Sequence, residues 1–81
     1  MKGLPKRALI TGSAAGIGAR VAETLNTEGY QLILVDKDKH ANDALAARFF
    51  NAKSIILDLT DREALRKFCT SLETQTLDVA F

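Results

Sequence analysis

The chain has 81 residues, 47% of them hydrophobic and 26% charged, with a formal net charge of +1. That length allows one domain at most, burying only roughly 60–65% of the surface its unfolded form exposes. Acids and bases are interspersed, so no field exists to gather nucleic acid or an anionic membrane surface, and no apolar run approaches the ~20 residues of a membrane span.

Lys2, Lys6 and Arg7 form a small basic cluster without the long apolar stretch of a signal peptide after it, and Pro5 precedes the first strand, where it interrupts nothing. Residues 8–11, Ala-Leu-Ile-Thr, are short, apolar and partly β-branched, and predict a buried first strand. The run Thr11-Gly12-Ser13-Ala14-Ala15-Gly16-Ile17-Gly18 follows directly. After it Ile17, Val21, Ala22 and Leu25 recur at helical spacing, and Gly29 stands where a helix end wants a left-handed residue. Leu32-Ile33-Leu34-Val35 is a near-continuous apolar run bounded by Asp36-Lys37-Asp38-Lys39, the pattern of a parallel strand covered on both faces.

Ala41, Leu45 and Phe49 recur every four residues in an alanine-rich segment and predict a second helix. The lone histidine, His40, has no cysteine or second histidine at ligand spacing. It is expected to face solvent from a loop, and no metal site is expected. Residues 54–57 predict a third strand ending at Asp58. Thr60 and Glu63 have capping-box spacing, with Thr60 as the cap of a third helix. Leu65, Phe68, Cys69 and Leu72 share one stripe of that helix, so Cys69 is expected to be a small core residue rather than a nucleophile. As the sole cysteine it excludes an internal disulfide and fits a reducing compartment, with the cytoplasm the expected location. Leu77-Asp78-Val79-Ala80-Phe81 begins a fourth strand, whose unpaired edge is a candidate surface for self-association. Strands alternating with helices, and no hairpin dipeptides, imply right-handed crossovers and an open parallel α/β sheet.

A strand that ends in a glycine-punctuated turn and feeds a helix N-terminus is suited to a phosphate. The helix offers unpaired N–H groups and the positive end of its dipole. Here Gly12 can supply the positive φ of a sharp turn, Gly16 allows backbone to approach a pyrophosphate, and Gly18 allows the helix to pack closely on the strand. No Gly-Lys-Ser/Thr follows, which excludes a mononucleotide P-loop. Asp36 closes the second strand about 18 residues beyond Gly18, where a carboxylate accepts from the 2′- and 3′-hydroxyls of an adenosine ribose. The same charge repels a 2′-phosphate and favours NAD over NADP, with Lys37 beside it as the counter-argument. Asp58 closes the third strand at the same edge. It is placed either to accept from the adenine amino group, with Leu59 flanking the ring, or to help cap the next helix.

Thr-Gly-x-x-x-Gly-x-Gly after the first strand, an acid after the second, Asp58-Leu59-Thr60 after the third and Leu77-Asp78-Val79 in the fourth resemble the short-chain dehydrogenase/reductase family, in order and across the whole chain. The resemblance implies a partial Rossmann-type parallel sheet, with residues 1–81 as the N-terminal part of a dinucleotide-binding domain. It implies that Gly12, Ser13, Ala14, Ala15, Gly16, Ile17 and Gly18 line the pyrophosphate and nearby ribose. Asp36 and Lys37 then sit at the adenosine ribose, and Asp58 and Leu59 at the adenine. Ala15 occupies the place where NADP-preferring members often carry a basic residue, which again implies NAD.

The family's chemistry is hydride transfer between a nicotinamide and a carbonyl or alcohol. A tyrosine whose pKa, about 10 when free, is lowered by a lysine four residues on handles the proton, with a serine assisting. Here the only tyrosine, Tyr30, is followed four residues later by Leu34, and no catalytic residue is expected among these 81. The chain is thus expected to be a catalytically incomplete NAD-binding portion of such an oxidoreductase. The alternatives are a non-catalytic nucleotide-binding module and a non-functional truncated product.

Overall fold

The computed structural model describes residues 6–72 and 77–81; Lys2 and Pro5 lie outside them. The elements are β1 (Arg7–Thr11), α1 (Gly16–Thr27), β2 (Gln31–Asp36), α2 (Lys39–Ala47), β3 (Ala52–Ile56), α3 (Arg62–Leu72) and β4 (Val79–Ala80). All four strands are parallel, in the order β3-β2-β1-β4. The chain steps outward from β1 to β3 and then returns past both strands to place β4 on the far side of β1. That reversal of direction lies beside the end of β1, the point at which open α/β sheets bind ligands.

Register decides which side chains meet the helices. Ala8 faces Leu32, and Leu32 faces Ala52, so these share one face of the sheet, whereas Leu9, Ile33 and Lys53 share the other. On the first face Ala8, Ile10, Leu32 and Leu34 are buried against Ala22 of α1 and Leu45 of α2. Gly29, with φ of 89°, ends α1 as its position suggested, and Tyr30 packs half-buried at the entry to β2. The second face is less completely covered: Leu9, Ile33 and Ile55 retain exposure, whereas Val35 beside them is fully buried. The expectation that the Leu32–Val35 run is covered on both faces is therefore met fully on one side and in part on the other. The right-handed crossover rule assigns α3 to the second face, yet α3 buries none of its residues.

Several local expectations are corrected. The third strand is Ala52–Ile56 rather than residues 54–57, because pairing with β2 begins two residues earlier. Leu57 is buried just beyond the strand, its N–H donating to Asp36 O at 3.0 Å. Thr60 is not the cap of α3. Asp61 takes that role, its Oδ1 accepting from Ala64 N at 3.1 Å, while the Thr60 hydroxyl turns back to Asp58. Cys69 is exposed rather than a core residue: only Ala64, Leu65, Phe68 and Leu72 of α3 reach partial burial, and Cys69 stands at the margin of that narrow stripe. His40 is exposed as expected but lies in the first turn of α2, not in a loop, because the Asp38 cap starts that helix one residue before it.

Candidate functional site

The carboxyl ends of β1, β2 and β3 converge on one edge. The first link is the glycine turn. Gly12 and Gly16 take φ of 64° and 55°, values that penalise any residue with a Cβ, and a Cβ built at either meets nothing within 4 Å. Gly18 answers a different need: a Cβ there strikes the Gly12 carbonyl oxygen and sits 2.9 Å from its carbon and 3.1 Å from Ser13 Cα. The close packing expected of Gly18 is therefore made against the turn itself.

Between these glycines the chain folds back on the end of β2. Ser13 N donates to Val35 O at 3.2 Å, and Ala14 N donates to Asp36 Oδ2 at 3.0 Å. Ser13 is fully buried, and its hydroxyl donates to Asn42 Oδ1 at 2.5 Å, with Val35 O also within reach at 3.3 Å, rather than facing the cleft. Ala15 is the N-cap of α1 and makes no side-chain cap bond. The helix thus starts with no side chain capping its first N–H groups, the kind of helix end that suits an anion. Ile17 is 71% exposed and lines a shallow apolar groove along α1 with Val21 and Leu25.

Asp36 sits between turn and cleft. Its Oδ2 accepts from Ala14 N and its Oδ1 from Asp38 N, both at 3.0 Å. Partial burial raises its carboxyl pKa, but N–H donors from Asp38, Ala14 and Lys37, together with the Lys37 charge, outweigh burial and hold it below the ordinary value. A carboxylate has about four acceptor positions, so acceptor capacity remains for a ligand. Asp58 is exposed; its Oδ1 accepts from Thr60 Oγ1 at 2.7 Å and Thr60 N at 2.9 Å, and these bonds lower its pKa despite slight desolvation. It shapes the approach to α3 without capping that helix.

A cleft of about 310 Å³ gathers Gly12, Asp36, Lys37, Asp58 and Leu59, so five of the anticipated site residues line one hollow. Ser13 through Gly18 lie along the turn beside it. A larger hollow of about 470 Å³ opens among Arg7, Gln31 and Lys53, at the opposite edge of the strands. The cleft at the carboxyl edge is the candidate site, because that is where parallel sheets present helix N-termini. Thr11 closes the far side of the turn, its N–H and its hydroxyl both donating to Phe81 O at 2.9 Å.

A family model for short chain dehydrogenase matches residues 6–80. This chain belongs to the short-chain dehydrogenase family. It is 33% identical to the uncharacterized oxidoreductase YxbG of Bacillus subtilis over 94% of its own length and 30% of that protein's. The bulky-bulky ketone specific alcohol dehydrogenase from Comamonas testosteroni superposes with a TM-score of 0.85 at 36% identity, over 95% of this chain and 33% of that one. A short-chain dehydrogenase from Sphingobium yanoikuyae, solved in complex with NADPH, superposes at 0.86 with 36% identity, over 95% of this chain and 32% of that one. The chain therefore spans about a third of the length of these relatives. Among the described residues, no helix is long and apolar enough to cross a membrane.

Sequence reasoning missed Asn42. It is fully buried and joins the glycine turn to β2 and β3. The signal was present, since Asn42 precedes Leu45 by three residues and Phe49 by seven and so shares their apolar face.

Proposed function

We propose that this chain binds a nicotinamide dinucleotide as the cofactor-holding N-terminal part, residues 1–81, of a Rossmann-type domain, and that it prefers NAD(H). The observation that carries the reading is the ionised Asp36, held by two backbone N–H groups at the mouth of the cleft and next to an open glycine turn. The residues fit the group. The free space at Gly12 and Gly16 leaves room for a pyrophosphate, and the uncapped start of α1 supplies N–H donors to it. The remaining acceptor capacity of Asp36 suits a ribose hydroxyl. Asp58 and Leu59 flank the adenine side of the same cleft. Ser13 contributes backbone to this cradle, its hydroxyl being spent on Asn42.

When bound, the cofactor supplies hydride transfer between nicotinamide and an alcohol or carbonyl, the activity proposed for the whole protein. The preference for NAD(H) follows from charge, because a 2′-phosphate beside Asp36 places two anions together. NADPH in the Sphingobium relative and the exposed Lys37 support the opposite choice, so the two cofactors must be compared directly. Isothermal titration is expected to show tighter binding of NAD⁺ than of NADP⁺. Asp36→Ala is expected to weaken NAD⁺ and to narrow the gap. An absence of heat at millimolar NAD⁺, or an unchanged NAD⁺/NADP⁺ ratio in the variant, overturns the reading.

A further inference from the structure

The dinucleotide reading leaves Asn42 without a task, although it is the best-connected polar side chain inside the molecule. It lies on the sheet-facing side of α2, fully buried beside the apolar Leu45. A primary amide in such a place is costly unless its donors and its acceptor are all met. Here they are. Nδ2 donates to Leu34 O at 2.8 Å and Ser54 Oγ at 3.0 Å, and lies 3.4 Å from Ile55 O; Oδ1 accepts from Ser13 Oγ at 2.5 Å. A backbone carbonyl can only accept, so Leu34 O fixes the nitrogen toward the strands and leaves the oxygen facing the glycine turn. Ser54 in turn donates to Asp43 Oδ1 at 2.6 Å, and Asp43 is paired with Lys39 at the surface.

The two ends of this amide do different work. The nitrogen holds α2 to β2 and β3. The oxygen holds the inward-pointing Ser13 side chain, between two glycines, the residue type with the widest backbone freedom, and adds to the bonds that Ser13 N and Ala14 N make to the end of β2. We infer that Asn42 is a positioning residue for the cofactor cradle. Through Ser13 it fixes the glycine turn against β2, so that Ala14 N–H reaches Asp36 and the start of α1 stays aimed at the ligand. It thereby couples the pyrophosphate side of the site to the ribose side, because α2 follows Asp36 directly. This role rests on the dinucleotide reading and names a residue that controls the geometry of that site.

Ser13→Ala and Ser54→Ala each delete one hydrogen bond of the same amide, one toward the turn and one toward β3, together with one further contact of the serine's own, to Val35 O at 3.3 Å and to Asp43 Oδ1 at 2.6 Å respectively, so they form a matched pair. Two readouts apply to the intact 81-residue chain: hydrogen exchange of the Ala14 amide relative to that of Leu32 without ligand, and NAD⁺ affinity by titration. Ser13→Ala is expected to speed Ala14 exchange about tenfold relative to Leu32 and to raise the dissociation constant about three- to tenfold, the reach of one neutral hydrogen bond. Ser54→Ala is expected to lower the melting temperature comparably while leaving both readouts within about twofold. Equal shifts in the two variants, or unchanged Ala14 exchange in Ser13→Ala, overturn the inference and reduce Asn42 to a general packing residue. If the unsubstituted chain binds no NAD⁺, the dinucleotide reading falls and takes the cofactor role of Asn42 with it. That result is distinct from tight wild-type binding with unresponsive variants, which sinks the inference alone.

Discussion

Helices α2 and α3 begin with the same device. Asp38 and Asp61 each accept from the N–H three residues on, Ala41 and Ala64, at 3.0 and 3.1 Å. Each helix also carries an apolar stripe and an i,i+4 ion pair, Lys39–Asp43 in one and Glu63–Lys67 in the other. Yet α2 buries Asn42 and Leu45 against β2 and β3, whereas α3 buries nothing. The difference lies outside the helices. A stripe becomes core only where something covers it on both sides. The face shared by α1 and α2 has that cover, and the face assigned to α3 has it only in part. Exposed ion pairs do not compensate, since such pairs contribute about 0–1 kcal/mol.

The comparison breaks most sharply in the two apolar stripes. Leu34→Ala removes a fully buried side chain between both helices and is expected to cost about 3–5 kcal/mol, enough to unfold much of so small a domain. Leu65→Ala on α3 is expected to cost less than about 1 kcal/mol, as a half-buried residue leaves little cavity. Denaturant titration by circular dichroism measures both, and equal costs mean that α3 is docked as firmly as α2. The caps give a smaller and subtler contrast. Asp38→Ala and Asp61→Ala each remove about 0.5–2 kcal/mol of capping. The first should lower the global unfolding midpoint, because α2 folds with the sheet. The second should fray α3 alone, seen as faster amide exchange over Arg62–Leu72 with little change in midpoint.

The smallest effect is in acid. Asp36 is held below the ordinary carboxylate value of 3.8 because N–H donors outweigh its burial. A depressed folded-state value means that its contribution is complete above 3.8 and is lost as pH falls through the lower folded value. Stability is thus expected to be flat from neutrality down to about pH 5 and to decline below about pH 4, with a shallower decline in Asp36→Asn. An identical acid limb in that variant shows that the Ala14 and Asp38 bonds do not stabilise the fold.

Strand–helix alternation, parallel pairing, the positive φ of Gly12 and the place of Asp36 at the end of the second strand were all legible in the sequence, whereas the positive φ of Gly16 was not. They rest on local chemistry, namely apolar runs, glycine spacing and an acid at a strand end. What depended on distant neighbours was not. Thr60 has capping-box spacing, but nearby Asp58 captures its hydroxyl and Asp61 takes the cap. Cys69 lies on an apolar stripe whose cover is a matter of tertiary structure. Ser13 reads as a small residue making room for a ligand. Only the fold reveals that Asn42, 29 residues away, claims its hydroxyl. In the candidate site, sequence marked residues that line the cleft, and the structure supplied those that hold them in place.

The bare start of α1 has a further consequence. The other two helices carry their own aspartate, whereas α1 begins at Ala15 with no side chain over its first amides. An anion settling there finishes a secondary structure as well as filling a site, so recognition and local folding share one free energy. Saturation should therefore raise the unfolding temperature in a concentration-dependent way, by about 2.7 kcal/mol of stabilisation at a hundredfold excess over the dissociation constant. On the proposed reading, the guest would serve as the missing cap.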